Sequence, residues 1–159
     1  MRLTDLQIAQ LLWATGWRGD DLETAIRIVM GESEGNTRST NVNTNGTIDR
    51  GLFQINNKAW PKLSEADAYD AEKNAQFAFG IYTKQKGFRE GHSAWWGPSK
   101  FHTLRKGAPD TNRIERAKKA REQVEKEKGA GVKLAGFGLV WGVLIASLVA
   151  AMMLRNRGA

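Results

Sequence analysis

Residues 32–56 read ESEGNTRSTNVNTNGTIDRGLFQIN, and this stretch decides the fold. It starts with a carboxylate, Glu32, which follows a segment whose apolar residues recur at helical spacing. Its middle is poor in apolar residues and rich in Asn, Thr and Ser, and Asn45-Gly46 is the strongest short signal for a hairpin turn. Short strands are therefore predicted on either side of this turn, with Asp49 following the turn and leading into the segment GLFQIN.

Helical patterns flank this stretch on both sides. Residues 4–7 and 20–23 each have the sequence of a capping box, and apolar residues at helical spacing follow both boxes. A further helical pattern covers residues 70–86. Residues 1–106 are therefore predicted to form a mainly α domain that contains one small β-hairpin.

The composition excludes several kinds of site. The chain has 159 residues, a formal net charge of +7, two His and no Cys. Without Cys there is no disulfide framework, thiolate metal site or cysteine nucleophile, and two His cannot make a three-His metal centre. The length suits one modest domain with a small additional segment. Neither a metal nor an organic cofactor is implied, because carboxyl chemistry needs only water.

Two carboxylates stand out on physical grounds. Glu32 ends an apolar helix, where the helix dipole and burial both disfavour an anion, so we expect a raised pKa and a general acid. Asp49 lies 17 residues later, across the hairpin, in a more polar setting. Carboxylates in contrasting environments across a cleft are what glycoside cleavage requires. The residues alone also allow a solvated Glu32 and an Asp49 that only caps backbone N–H groups.

The same residues carry a resemblance to known enzymes. From Glu32 to Asn56, without a gap, the sequence resembles the active-site segment of animal (c-type) lysozymes. That segment runs from the catalytic Glu through an Asn-Thr-x-Gly hairpin to a second catalytic Asp and a Gly-x-x-Gln-Ile-Asn strand. Residues 3–106 are also similar to the soluble-lytic-transglycosylase-like enzymes of phages and bacteria, through Glu32-Ser33, the GLFQI segment and residues 78–82. Both groups share a lysozyme-like α+β fold, which the resemblance implies here.

The resemblance also implies a substrate and roles for individual residues. Glu32 would be the general acid that cuts the β-1,4 bond from N-acetylmuramic acid to N-acetylglucosamine in the glycan strands of bacterial peptidoglycan. Other residues would contact the sugars or orient the acid: Ser33, Gln54, Asn56, Tyr82 and Trp95. Trp95 would make the pocket of the acid apolar, with core packing and sugar stacking as the alternatives.

Asp49 separates two mechanisms. If it faces Glu32 at about 5–5.5 Å, retaining hydrolysis is possible, as in a lysozyme. If it only caps the hairpin, the resemblance to transglycosylases implies that a group of the sugar completes the reaction and leaves a 1,6-anhydro ring. The wider resemblance favours this transglycosylase outcome.

Two further segments follow the domain. Residues 107–133 are dense in charge, and the helix predicted after Pro109 is interpreted as a solvated stalk, with a coiled coil or a membrane-surface helix as alternatives. Interspersed acids and missing aromatics argue against nucleic-acid binding. Residues 134–154 are uncharged and would span about 31 Å as a helix, which predicts a transmembrane segment in a lipid bilayer, followed by a basic tail, 155–159. A stripe of small residues allows self-association: Gly138, Gly142, Ala146 and Ala150.

These segments also predict a location. No N-terminal signal peptide is visible, and the basic flank of the membrane segment would hold the domain in the cytoplasm, away from peptidoglycan. A phage with an internal membrane removes this conflict, so the sequence predicts an enzyme of the virion membrane that opens the cell wall during entry. The alternatives are a non-catalytic peptidoglycan-binding structural protein of that membrane and a late lysis enzyme in the host cell membrane.

Overall fold

The computed structural model describes residues 1–85 and 111–129. Two N-terminal helices lead into a small sheet, and further helices follow the sheet. In chain order the elements are α1 (Asp5–Thr15), α2 (Gly19–Glu32), β1 (Thr40–Val42), β2 (Ile48–Arg50), β3 (Ile55–Asn56), α3 (Glu65–Tyr69) and α4 (Ala71–Lys84). A last described helix, α5, covers residues 111–129. The predicted combination of helices with a small β structure is confirmed.

The starts of α1 and α2 follow from local chemistry. Thr4 caps α1: its hydroxyl accepts a hydrogen bond from Gln7 N at 3.3 Å, and the Gln7 amide oxygen accepts one from Thr4 N at 2.9 Å. This confirms the first capping box. The second box is wrong, because α2 begins at Gly19 with Arg18 as an N-cap that makes no side-chain cap bond. The aspartates of that box lie in the first turn, where the helix dipole favours carboxylates.

The sheet contains three antiparallel strands in the order β1-β2-β3. Its first turn confirms the predicted hairpin: Asn43 N donates to Thr47 O at 2.8 Å, and Gly46 has a φ of 76°. A single hairpin is an incomplete prediction, because β3 also pairs with β2. Asn57 fixes this pairing, since its backbone N donates to Ile48 O and its side-chain oxygen accepts from Ile48 N, at 2.8 and 2.9 Å.

The core lies between the helices and the loop that joins β2 to β3. The apolar faces of α1, α2 and α4 are buried, and Leu52 and Phe53 enter the same core from the loop. The Trp17 ring lies nearly parallel to Phe53, with the ring centroids 6.3 Å apart. The small sheet is therefore attached to the helices through its β2–β3 loop.

Helix α5 corrects the predicted stalk. The thin apolar stripe predicted for this segment consists of Ile114, Ala117 and Val124. Ala117 and Val124 are buried in the same hydrophobic core as the N-terminal helices, together with Ala120, and Ile114 is half-buried. A solvated stalk would leave this stripe in water, whereas burial of even a narrow apolar face favours docking. The compact unit accordingly runs from Met1 to Val124, past the predicted boundary at 106. The second unit comprises residues 125–159, of which the structure describes 125–129 as helical.

The predicted C-terminal membrane helix is also corrected. Within residues 1–85 and 111–129, no helix is long and apolar enough to cross a membrane. The prediction depends on hydropathy alone, which detects an apolar stretch but not the structure that it adopts. The stretch 134–154, its stripe of small residues and the tail 155–159 lie outside the described residues. The single-pass anchor, and the virion-membrane or host-membrane location derived from it, are therefore not retained.

Candidate active site

Glu32 is the last residue of α2 and is half-buried. It follows a buried apolar face, and no basic residue of α2 lies in the last turn. The next residue, Ser33, is buried, and both its backbone N and its hydroxyl donate to Val29 O, at 3.0 and 3.1 Å. The Ser33 hydroxyl therefore closes the helix end, and this bond is directed at the backbone rather than at Glu32.

The chain leaves α2 through a strained turn. Glu34 has a φ of 50°, in the left-handed region that non-glycine residues rarely adopt, and Gly35 follows at 75°. The N-terminal segment holds this turn, because Leu3 N donates to Gly35 O at 2.9 Å and the Arg2 guanidinium pairs with the Glu34 carboxylate at 2.9 Å. Contacts remote in sequence thus fix the backbone directly after Glu32.

Asp49 lies in the middle of β2, the central strand, and is half-buried. It is opposite Asn41 on β1 and opposite Asn56 on β3. Its carboxylate accepts side-chain amide N–H bonds from Asn41 at 3.3 Å, from Asn43 at 3.0 Å and from Asn56 at 2.7 Å. Three amides from three parts of the sheet region therefore orient one carboxylate.

The turn itself is capped by other side chains. The Asn45 side-chain oxygen accepts from Thr47 N at 3.1 Å and from the Thr47 hydroxyl at 2.8 Å. Asn56 also donates to the Thr47 hydroxyl, at 2.9 Å, and its oxygen accepts from two backbone N–H groups of the following turn. Among the described residues, the Asp49 carboxylate accepts hydrogen bonds only from side-chain amides. The Asp49 carboxylate therefore does not cap backbone N–H groups of the hairpin, which was the alternative role.

Gln54 holds the β2–β3 loop together. Its φ is 48°, so Gln54 is a second non-glycine residue in the left-handed region, after Glu34. Its side-chain amide nitrogen donates to Ser39 O at 3.1 Å and to Gly51 O at 3.0 Å. The bond to Ser39 links this loop to the chain just before β1. The amide oxygen of Gln54 has no hydrogen-bond partner among the described residues, so one polar atom of the side chain is available to a ligand.

Asn74 is a residue that sequence reasoning missed. It lies on α4, is 0% exposed, and its side-chain oxygen accepts from Phe53 N at 3.0 Å. Its amide nitrogen donates to Ala68 O at 2.8 Å and to Arg50 O at 3.2 Å. The sequence does contain one signal for this role: Asn74 is a polar residue on the helix face that also carries Ala75 and Ala78. Asn74 thus fastens the strand of Asp49, the following loop and α3 to one helix.

Tyr82 lies away from Glu32. Its hydroxyl donates to the Asp21 carboxylate at 2.5 Å, and burial, followed by this bond, raises the pKa of Tyr82 to about 12. Asp21 is in the first turn of α2 and Glu32 is at its end, about 16 Å along the helix at 1.5 Å per residue. The structure therefore does not bring the Tyr82 hydroxyl to the candidate acid. Trp95 lies outside the described residues.

The arrangement provides two carboxylates in different surroundings. Glu32 is at the carbonyl end of a helix with an apolar face, and Asp49 is within a group of amides. In residues 1–85 and 111–129, no cluster of His, Cys, Asp and Glu could hold a metal ion. Proton transfer and stabilisation of positive charge are the chemistry open to such a pair.

The helices, the small sheet and this carboxylate-bearing segment define a lysozyme-like domain. The sequence model of a family described as "Lysozyme like domain" matches residues 9–92, just over half of the chain. The chain therefore belongs to this family. The resemblance found in residues 32–56 is confirmed at the level of the lysozyme-like superfamily.

Individual relatives agree with this assignment. A protein named Lysozyme C from Scophthalmus maximus is 44% identical over 55 residues, which are 33% of this chain and 38% of that protein. Lysozyme C II from Oncorhynchus mykiss is 39% identical over 57 residues, 34% of this chain and 40% of that protein. The chain thus spans about two fifths of the length of these relatives.

A solved structure extends the similarity beyond the matched segment. The crystal structure of a lysozyme from Litopenaeus vannamei has a TM-score of 0.54 and 25% sequence identity to this chain. The superposition covers 72% of this chain and 96% of the shrimp protein. The similarity therefore includes nearly the whole of that fold.

Proposed function

We propose that this protein is a glycosidase that hydrolyses the β-1,4 bond from N-acetylmuramic acid to N-acetylglucosamine in bacterial peptidoglycan. Glu32 is the general acid, and Asp49 is the second carboxylate. Membership of the lysozyme-like family supports glycoside cleavage as the reaction class. The substrate and the two-carboxylate mechanism are the finer parts of the proposal.

The hydrogen bonds of Asp49 are the observation that carries the mechanism. A carboxylate that accepted backbone N–H groups would serve the turn, but this one accepts three side-chain amides instead. Such donors fix the orientation of the carboxylate before any substrate binds, which is what stabilisation of a sugar cation requires. This favours hydrolysis over the anhydro-forming outcome that the wider sequence resemblance favours.

The proposed reaction has two steps. Glu32 donates its proton to the glycosidic oxygen while the bond from that oxygen to the anomeric carbon breaks, and Asp49 attacks this carbon from the opposite face. Glu32 then removes a proton from water, whose oxygen displaces Asp49 and releases the sugar with its configuration retained. Asn56 is a positioning residue in this scheme, because it acts on the substrate through Asp49.

The roles of the remaining candidates are narrower. Gln54 retains one amide oxygen for a sugar hydroxyl, since its nitrogen holds the loop. Ser33 supports Glu32 by closing the end of its helix. Tyr82 stabilises the fold, because its hydroxyl binds Asp21. Trp95 keeps its role as a predicted wall of the acid's pocket.

Mass spectrometry of digested peptidoglycan tests the proposal. The full chain should release products with ordinary reducing ends, and Glu32→Gln and Asp49→Asn should each lower the rate by about 10²-fold or more. Matched controls are Glu72→Gln, at an exposed carboxylate of α4, and Asp67→Asn, at a partly exposed carboxylate of α3. They should retain the rate of the unmutated chain.

The products distinguish the alternatives. If Asp49→Asn still releases anhydro products, the hydrolysis mechanism is wrong. The protein is then a transglycosylase that uses Glu32 alone, and Asp49 has a structural role. If the unmutated chain releases nothing from several wall types but binds them, the protein is a binding module and the enzyme proposal fails.

A further inference from the structure

The N-terminal segment, residues 1–3, binds the chain that leaves α2. Leu3 N donates to Gly35 O at 2.9 Å. Thr37 is buried, and both its backbone N and its hydroxyl donate to Met1 O, at 3.0 and 3.1 Å. An isolated antiparallel β-bridge lies between these two contacts. The two segments therefore pair as a pair of very short antiparallel strands would.

The N-terminal segment is itself held in place. Leu3 packs against the hydrophobic core, and Thr4, directly after it, caps α1. The contact with the turn after α2 is close, because a methyl group added at Gly35 would lie 2.7 Å from Leu3 O and 3.1 Å from Cδ1 of Ile8. Contact with the backbone of an anchored segment therefore sets the position of this turn.

The turn starts immediately after the candidate acid, Glu32. Asn36 N donates to Ser33 O at 2.9 Å, which closes the turn onto the end of α2. Glu34, inside the turn, keeps a left-handed φ of 50°, a conformation that persists only where its surroundings hold it. A displacement of Gly35 would therefore be passed on to the helix end that carries the acid.

The same chain continues to the second carboxylate. Asn36 O accepts from Ser39 N at 3.2 Å, and Ser39 O accepts from Gly51 N at 2.9 Å. Gly51 begins the loop that follows β2, two residues after Asp49. A path of backbone hydrogen bonds and adjoining residues therefore runs from the N-terminal segment, across the turn, to the loop after Asp49.

We infer that residues 1–3 are a positioning segment for the proposed reaction. They fix the turn after Glu32 and, through Ser39, the loop after Asp49, and so they set the separation of the two carboxylates. The inference rests on the proposed function, because it assigns the segment a role in the geometry of that site. The segment acts through the backbone of the turn and not by contact with the sugar. A catalytic group displaced by about 1 Å lowers a rate by about 10²-fold, so even a small shift would be measurable.

Gly35→Ala tests this role. The added methyl group would lie 2.7 Å from Leu3 O, where ordinary contact begins at 3.4 Å, so the turn or the segment must shift by about 0.7 Å. On soluble peptidoglycan fragments we expect kcat to fall by about 10-fold or more while KM changes by less than about 2-fold, because alignment is lost and the sugar contacts remain. Circular dichroism would set a temperature at which each variant is fully folded.

The matched control is Gly19→Ala. Gly19 also has a positive φ, 54°, but a methyl group added there meets nothing within 4 Å. It lies at the other end of α2 from Glu32. Gly19→Ala therefore shares the backbone strain without the collision and should retain kcat and KM. Equal losses of kcat in the two variants, or a change confined to KM in Gly35→Ala, would overturn the inference.

A milder pair of variants covers the case in which Gly35→Ala fails to fold. Thr37→Val keeps the volume of the side chain and removes the hydroxyl bond to Met1 O, whereas Thr37→Ser keeps the hydroxyl. We expect Thr37→Val to lower kcat by about 5-fold, as for one lost hydrogen bond, and Thr37→Ser to restore most of it. The same kcat in both variants would contradict a positioning role for this bond.

Amide hydrogen exchange tests the coupling independently of cleavage. Gly35→Ala should speed exchange of the Thr37 and Gly51 N–H groups by about 10-fold or more, and Gly19→Ala should leave both unchanged. Faster exchange at Thr37 with no change at Gly51 would overturn the inference, because the path to the loop after Asp49 would be absent. Faster exchange at both positions in a chain that cleaves nothing would contradict the proposed enzyme but support the coupling.

Discussion

Replacing Asn74 by alanine should weaken the fold more than any exposed change on the same helix. Asn74→Ala removes three buried hydrogen bonds, to Phe53 N, Arg50 O and Ala68 O. At about 1 kcal/mol each, these bonds predict a loss of about 3 kcal/mol, and the unpaired Phe53 N–H increases it. A small domain has a total stability of about 5–15 kcal/mol, so the effect is large.

Urea denaturation followed by tryptophan fluorescence measures this loss. The midpoint should fall while the slope remains unchanged, since the surface exposed on unfolding is nearly the same. Gln76→Ala is the matched control, because Gln76 is exposed on the same helix and its side chain, among the described residues, bonds only to Glu72, at 3.0 Å. We expect it to change stability by about 0.5 kcal/mol or less. A loss below about 1 kcal/mol for Asn74→Ala would refute the view that these bonds hold the loop.

Asn74→Asp separates the hydrogen bonds from the volume of the side chain. The carboxylate can still accept from Phe53 N, but it faces the carbonyl oxygens of Arg50 and Ala68 without a donor. Burial next to those oxygens favours the protonated acid. The destabilisation at neutral pH should therefore decrease as the pH falls. A loss that is constant over the acid range would contradict this explanation.

Three other changes have defined outcomes. Gly51→Ala should lower the stability by about 2 kcal/mol or more in urea, because Gly51 has a φ of 75° and an added methyl group would collide with a carbonyl oxygen of α3. Absorbance titration should show a midpoint near pH 12 for the Tyr82 hydroxyl, and this midpoint should be absent in Tyr82→Phe. Because the pKa of Tyr82 is raised in the folded state, the contribution of this hydroxyl to stability is complete below pH about 10 and is lost as the pH rises through 12. Val124→Asp should lower the melting temperature because Val124 is buried, whereas Lys126→Asp should not because Lys126 is exposed. Equal effects of the two changes would support the interpretation of this helix as a solvated stalk.

The sequence predicts the parts of this fold whose signals are local. The capping box at Thr4 and the turn at Asn45-Gly46 each depend on a few adjacent residues, and both are confirmed. The third strand is less visible, because its pairing depends on Asn57, which contacts Ile48 nine residues earlier. Local chemistry therefore predicts turns and helix ends better than it predicts strand partners.

Side-chain partners are the part of the site that the sequence does not contain. The helical pattern over residues 70–86 puts Tyr82 on a helix face but does not identify Asp21, from the start of another helix, as the partner of its hydroxyl. In the same way, the thin stripe on α5 is typical of a solvated helix until a core is present to cover Ala117 and Val124. Both errors arise because contacts between distant segments decide what a polar or weakly apolar face does.

The described structure also explains how a chain without cysteine can hold a small sheet in a fixed position. Instead of covalent bridges, buried or half-buried side chains reach across to backbone groups of distant segments: Asn74 to Phe53 N, Gln54 to Ser39 O, and Arg50 to Leu63 O at 3.1 Å. Each such bond constrains only the folded state, whereas a disulfide also restricts the unfolded chain. Rigidity around Asp49 therefore depends on all of these bonds being made together, because loss of one leaves a buried polar group unpaired and loosens the loop that the others hold.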